Sequence, residues 1–247
     1  MLTDPVAGLS AGALVALVVA LVVGAAVQGT IGLGLGLVAA PVAALVAPQL
    51  VPELLLWLAL VMAGTTLVAE HRGVDWGGLV WALPARVLGT VVGVLVVAAL
   101  TAREIGISVA VMVLLAVAVT WRAVTIPVNR VTLPLAGFVS GVTGTATSIG
   151  GPPLAVLYQH RPATTIRPTL AAYFVAGASM SLVGLGLGGQ LHWPEFWLSV
   201  LLSPTLLVGF WLAVPLRERL RADAVRPAIL AICAASALVL LVRSLTV

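Results

Sequence analysis

Apolar runs long enough to cross a bilayer follow one another along this chain, and in two places the run is interrupted by the same kind of glycine-rich elbow. The first reads Gln28-Gly29-Thr30-Ile31-Gly32 and continues to Pro41; the second reads Ser140-Gly141-Val142-Thr143-Gly144 and continues to Pro153. Gly29 and Gly141, Gly32 and Gly144, and Pro41 and Pro153 all share one offset of 112 residues. Hydrocarbon offers no water to unpaired backbone groups, so a broken helix is tolerated there only where it is buried in protein or lines a wet cavity. A duplicated break therefore points to an all-α membrane bundle with a transport site where two repeats meet.

Composition closes the other classes. With 62% hydrophobic and 8% charged residues, the chain carries more apolar surface than a water-soluble core can bury. Crossing the hydrocarbon takes about 20 residues, and such stretches fill the length without leaving room for a soluble domain. The net charge of +4 is no nucleic-acid footprint, because there is no lysine and the arginines are dispersed. A single cysteine, Cys233, excludes an internal disulfide and a thiol metal site. The N-terminus has neither a positive n-region nor a clear cleavage site, so Leu9 to Val27 reads as a first helix, not as a signal peptide.

Apolar runs and their breakers predict segments near Leu9 to Val27, Ile31 to Ala47, Pro52 to Ala69, Gly77 to Leu100 and Glu104 to Ala123. The second half repeats the plan near Leu133 to Val142, Gly150 to Tyr158, Thr169 to Gly188, Phe196 to Leu216 and Val225 to Val242. Leu133 to Val142 and Gly150 to Tyr158 are too short to span, which predicts a broken or re-entrant hairpin bent at Gly141 to Gly151. The total is eight to ten helical segments in two repeats, about 9–124 and 131–247. Gly73-Val74-Asp75-Trp76 resembles Gly189-Gln190-Leu191-His192-Trp193, and Gly89 matches Gly209 at an offset of 120.

Arginine sorts the loops, since it collects on the cytoplasmic side. Placing Arg72, Arg122, Arg130, Arg161, Arg167, Arg217, Arg219, Arg221 and Arg226 inside leaves Arg103 and Arg243 outside. Both termini then face out and the repeats are inverted.

Catalytic and cofactor signatures are absent: there is no His-Glu-x-x-His, no P-loop, and no clustered set of His, Cys and carboxylates to hold a metal. His71, His160 and His192 fall at predicted membrane surfaces, and interfacial polarity accounts for them more simply than a proton relay. Glu53, Glu70, Asp75, Glu104, Glu195 and Glu218 lie near segment ends as solvated charges, any of them a candidate for proton coupling.

The elbows read differently. A half-helix that starts inside a membrane presents bare N–H groups and a positive dipole end, which suits an anion. Thr143, Thr147 and Ser148 add hydroxyl donors around Gly144, while Gly150 and Gly151 precede Pro152 and Pro153, residues that fit a first helical turn where no N–H is needed. Gln28 beside Gly29 and Gly32 adds a polar group at the first elbow. Arg86 lies about ten residues into its segment, and a charge at that depth costs at least a few kcal/mol, so it is a candidate ligand for the same anion. Arg167 is a second. The competing reading of the glycines is helix packing, which the spacings Gly89/Gly93 and Gly184/Gly188 favour.

Across nearly the whole chain these motifs, with Arg167 to Phe174 opening a later bundle, resemble the sulfite exporter TauE/SafE family, also called the 4-toluene sulfonate uptake permeases. The resemblance implies a permease of the cell membrane for small sulfur-containing anions such as sulfite or organosulfonates, working outward. Its partners would be the anionic solute and the lipid bilayer, with protons a candidate coupling ion. The first elbow departs from the pattern, with Val38-Ala39-Ala40-Pro41 where the second has Gly150-Gly151-Pro152-Pro153. Two rivals are an anion channel and a non-transporting membrane scaffold or assembly factor.

Overall fold

A computed structural model describes residues 9–121, 126–219 and 222–246, without the side chains of 216–219 and 222–229. These residues form ten α-helices and one 3-10 turn, Pro48–Leu50, with no strand among them. The helices are α1 (Ala11–Ile31), α2 (Leu35–Val46), α3 (Glu53–Ala69), α4 (Trp76–Ala99), α5 (Ala102–Trp121), α6 (Thr132–Thr147), α7 (Pro152–Tyr158), α8 (Ala163–Leu187), α9 (Trp193–Arg219) and α10 (Ala222–Thr246). Five of them, α1, α4, α5, α8 and α9, are long and apolar enough to cross a membrane. The protein is a polytopic helical membrane bundle, and Leu88, Val91 and Leu95 on α4 show the exposed apolar face such a bundle turns outward.

The breaks fall later than the glycines suggest. Helix α1 runs through Gln28 and Gly29 to Ile31 and ends on Gly32, whose φ of 88° is left-handed and whose N–H returns to the Gln28 carbonyl. Helix α6 runs through Gly141 and Gly144 to Thr147 and ends on Ser148, at φ 62°. The expected bend beginning at Gly141 is thus corrected to Ser148–Gly151, and the first arm is longer than Leu133 to Val142. Glycine costs a helix only about 1 kcal/mol, whereas each unpaired backbone group in hydrocarbon costs several. The helix therefore continues until a left-handed residue stops it.

The glycines inside the helices serve as contact faces. A methyl on Gly89 would strike the Phe138 carbonyl of α6, and one on Gly141 would strike the Arg86 carbonyl of α4. The counterpart contact sets Gly209 of α9 against Val22 and Ala25 of α1. Helix α6 lies along α4 as α1 lies along α9, while α3 packs on α8 and α5 on α10. Exchanging the first five helices for the last five maps these pairings onto themselves. In this packing Phe138 stands for Val22 and Gly141 for Ala25, an offset of 116 residues. The sequence elbows, offset by 112, are one helical turn short of this register and so keep the same face.

Contacts sort the charged residues to two ends. At one, Arg167 pairs with Glu70 at 2.6 Å, Tyr158 donates to Asp75 at 2.7 Å, and Arg130 lies 5.2 Å from the Trp81 ring centre. At the other, Arg103 donates to the Ser244 and Leu245 carbonyls and Arg243 to the Leu45 carbonyl. Arg122, Arg221 and the side chains of Arg217, Arg219 and Arg226 lie outside the described residues.

Candidate anion-binding site

The two elbows touch. Gly36 approaches the Ser148 carbonyl and Gly151 approaches the Leu33 side chain so closely that a methyl at either glycine would collide. Beside this contact lies a cavity with about 40 Å³ open to the centres of water molecules. One water needs about 10–15 Å³ by this measure, so the space suits roughly three waters or one compact oxyanion. Gln28, Gly34 and Gly36 line it from the first hairpin, and Gly144, Ser148, Gly150 and Gly151 from the second. Arg86 enters from α4, Phe174 and Ala178 from α8.

Arg86 is only 2% exposed. Its Nη1 donates to Ser140 Oγ at 2.6 Å, and its guanidinium carbon stands 4.5 Å from the centre of the Tyr173 ring, in cation–π range. Gly177 of α8 supplies the space: a Cβ there would overlap the guanidinium. No carboxylate pairs with Arg86 among the described residues, and its Nε is buried with no hydrogen-bond partner. Thr90 Oγ1, one turn further along α4, and the Tyr173 hydroxyl are buried without partners as well. By the packing register the residue that matches Arg86 in the other half is Leu206, so only one half carries the charge.

Side-chain hydrogen bonds fix the backbone at both elbows. Gln28 Oε1 accepts the Leu35 N–H at 3.1 Å, capping α2 across the break and leaving the amide NH₂ as its remaining donor. The N–H groups of Gly36 and Leu37 follow in the first turn of α2, where no intrahelical acceptor exists. At the second elbow Thr147 Oγ1 donates to the Thr143 carbonyl and accepts the Ile149 N–H. Ser148 Oγ donates to the Pro52 carbonyl at 2.8 Å, fixing the left-handed residue to the start of α3.

Of the residues singled out from sequence, Gln28, Arg86, Gly144, Ser148, Gly150 and Gly151 share the cavity. Gly29, Gly32, Thr143, Thr147 and Arg167 are not among its lining residues. Gly29 packs on Ala213 and Phe210 of α9, and Gly32 on the stem of Arg167. Thr143 faces a larger crevice of about 370 Å³ between α5, α6 and α7 whose other lining residues, Thr132 apart, are apolar. That crevice offers an oxyanion no charge. Ser140, Tyr173 and Gly177 position Arg86; Ser140 opens the second elbow and Tyr173 lies within Arg167 to Phe174, but nothing along the chain ties any of the three to Arg86. Folding also gathers a titratable group that the sequence disperses: Glu53, His192 and Glu195 bring ligand-capable atoms within 4.8 Å of one another.

The family model for the sulfite exporter TauE/SafE matches residues 16–240 of the 247. This chain belongs to the TauE/SafE family. No curated protein and no solved structure matches it. TauE/SafE proteins are membrane permeases of the sulfite-exporter type, which makes this chain a membrane transporter.

Proposed function

We propose that this TauE/SafE protein is a secondary transporter that moves a small sulfur-containing anion, such as sulfite or a small organosulfonate, outward across the cell membrane by alternating access. The halves, about 9–124 and 131–247, are inverted repeats with both termini outside. The exchange symmetry of the helix pairings and the gathering of Arg130 and Arg167 at one end, with Arg103 and Arg243 at the other, support this arrangement. The anion sits between the elbows against Arg86, receiving donors from Gln28, the first turn of α2 and the Gly150–Gly151 peptides. Rocking of one half against the other opens the site to each side in turn.

One observation carries the reading: a guanidinium 2% exposed inside the membrane bundle, with no carboxylate partner among the described residues and an unpartnered Nε. An uncompensated charge in such a place costs several kcal/mol, and a bound anion supplies the compensation. Arg167, paired with Glu70 and outside the cavity lining, ties the end of α3 to α8 and does not hold the ligand. In proteoliposomes loaded with labelled sulfite, the wild type gives saturable counterflow, and Arg86→Ala abolishes it while remaining folded. Unchanged counterflow in Arg86→Ala removes the assignment, and a non-saturating conductance identifies a channel.

A further inference from the structure

The bundle ends of α3 and α4 are clasped alike to their neighbours, and the difference between the clasps is informative. In one, the loop before α4 docks on α8, where the Asp75 N–H donates to Thr169 Oγ1 at 3.0 Å. In the other, the loop before α9 docks on α3, where the His192 N–H donates to Glu53 Oε1 at 2.7 Å. A neutral hydroxyl suffices for the first clasp. The second uses a carboxylate that is only 5% exposed, and unlike the hydroxyl it can gain a proton while still accepting the clasp bond through its other oxygen.

We propose that Glu53 is the proton-binding site of this transporter, and that its protonation and the binding of the anion favour each other. The inference rests on the transport reading above. Glu53 Oε2 also lies 3.1 Å from His192 Nδ1, and the His192 side chain is 64% exposed, giving the buried carboxylate an opening to water. Glu195, from the first turn of α9, joins the cluster, and its Oε2 is buried with no hydrogen-bond partner. The 3-10 turn, α2 and the C-terminal half of α8 bring no charged side chain to this place. Arg103 and Arg243 at the same end are engaged with backbone carbonyls.

Burial and the Glu195 carboxylate both favour the neutral form of Glu53, and the His192 bonds oppose them. The proton comes from hydronium: its O–H bond breaks, an O–H bond forms at a Glu53 carboxylate oxygen, and a neutral water molecule is left. The link to the anion is short: the residue before Glu53 is Pro52, whose carbonyl receives the Ser148 hydroxyl, and Ser148 lines the anion cavity. Neutralising Glu53 removes a negative charge from beside that elbow, so an anion binds more tightly. By linkage, anion binding must then draw a proton onto Glu53 with the same coupling.

The test is binding of sulfite and of methanesulfonate to the purified full chain between about pH 5.5 and about pH 8, with proton uptake followed in weak buffer. Wild type should bind roughly ten-fold more tightly at the acid end and take up protons on binding. Glu53→Gln should bind with an affinity independent of pH for methanesulfonate, and take up fewer protons than wild type with either anion; the difference between the two proteins cancels sulfite's own titration. Glu53→Thr, which copies Thr169 of the other clasp, replaces it should the glutamine variant not fold. His192→Gln should keep the pH dependence. Wild-type binding without pH dependence or proton uptake overturns the inference alone, as does pH dependence that survives at Glu53 and vanishes at His192. Binding of neither anion removes the transport reading and this inference with it.

Discussion

Arg86 and Ser140 are bound at 2.6 Å across the α4–α6 interface, and the same serine hydroxyl is bound in turn to the Gly150 carbonyl. One hydroxyl therefore ties Arg86, the only buried arginine among the described residues, to the broken backbone of the second elbow. The guanidinium and the elbow backbone are thus two hydrogen bonds apart through a single side chain.

Replacing Arg86 by methionine should abolish sulfite binding without lowering the melting temperature, because removing an uncompensated buried charge relieves its desolvation cost. Arg86→Lys keeps the charge and loses the planar fork that spans Ser140 and the cavity, so its affinity should fall about ten-fold or more. Calorimetric titration beside thermal melting reads both effects. A methionine variant that binds like wild type contradicts the role.

Ser140→Ala leaves Arg86 Nη1 without its acceptor in a buried place, where a lost hydrogen bond to a charged group costs about 1–3 kcal/mol. The expected outcome is a lower melting temperature and weaker anion binding together. An unchanged affinity would show that the elbow and the guanidinium act independently.

Gly177→Ala adds the methyl that overlaps the guanidinium, so it should displace Arg86 and weaken anion binding at least ten-fold. Gly186→Ala, on the same helix with nothing within 4 Å of the added carbon, should leave binding unchanged and gain up to about 1 kcal/mol from helix propensity. Equal binding in both variants would place Arg86 elsewhere.

Gly141→Ala tests packing at a residue that does not itself line the cavity. Its methyl meets the Arg86 carbonyl and the Thr90 nitrogen, backbone atoms that cannot move aside, and overpacking of this kind costs about 1–3 kcal/mol. The melting temperature should drop, with α4 and α6 pushed apart.

Much of this was legible in the sequence because the membrane leaves few choices. Helix number, the duplicated elbow and the depth of Arg86 follow from apolar length, breakers and the cost of a buried charge. The break positions were not legible, since glycine weakens a helix only slightly and Gly141 and Gly144 remain helical; what ends α6 is Ser148, a residue with no breaker signature, held in place by the carbonyl of Pro52 just before α3. Arg167 read as a site candidate because its partner Glu70, 97 residues away, is invisible along the chain. Glu53, His192 and Glu195 looked like separate loop charges for the same reason: only the docking of the α8–α9 loop on α3 makes them one cluster.

The most direct measurement of the central claim is an anomalous difference map from the protein crystallised with selenite, a heavier analogue of sulfite. The account predicts one selenium peak between the elbows, within hydrogen-bonding reach of the Arg86 guanidinium and absent in Arg86→Met. A peak confined to the apolar crevice between α5, α6 and α7, or an empty cavity at saturating selenite, would contradict it.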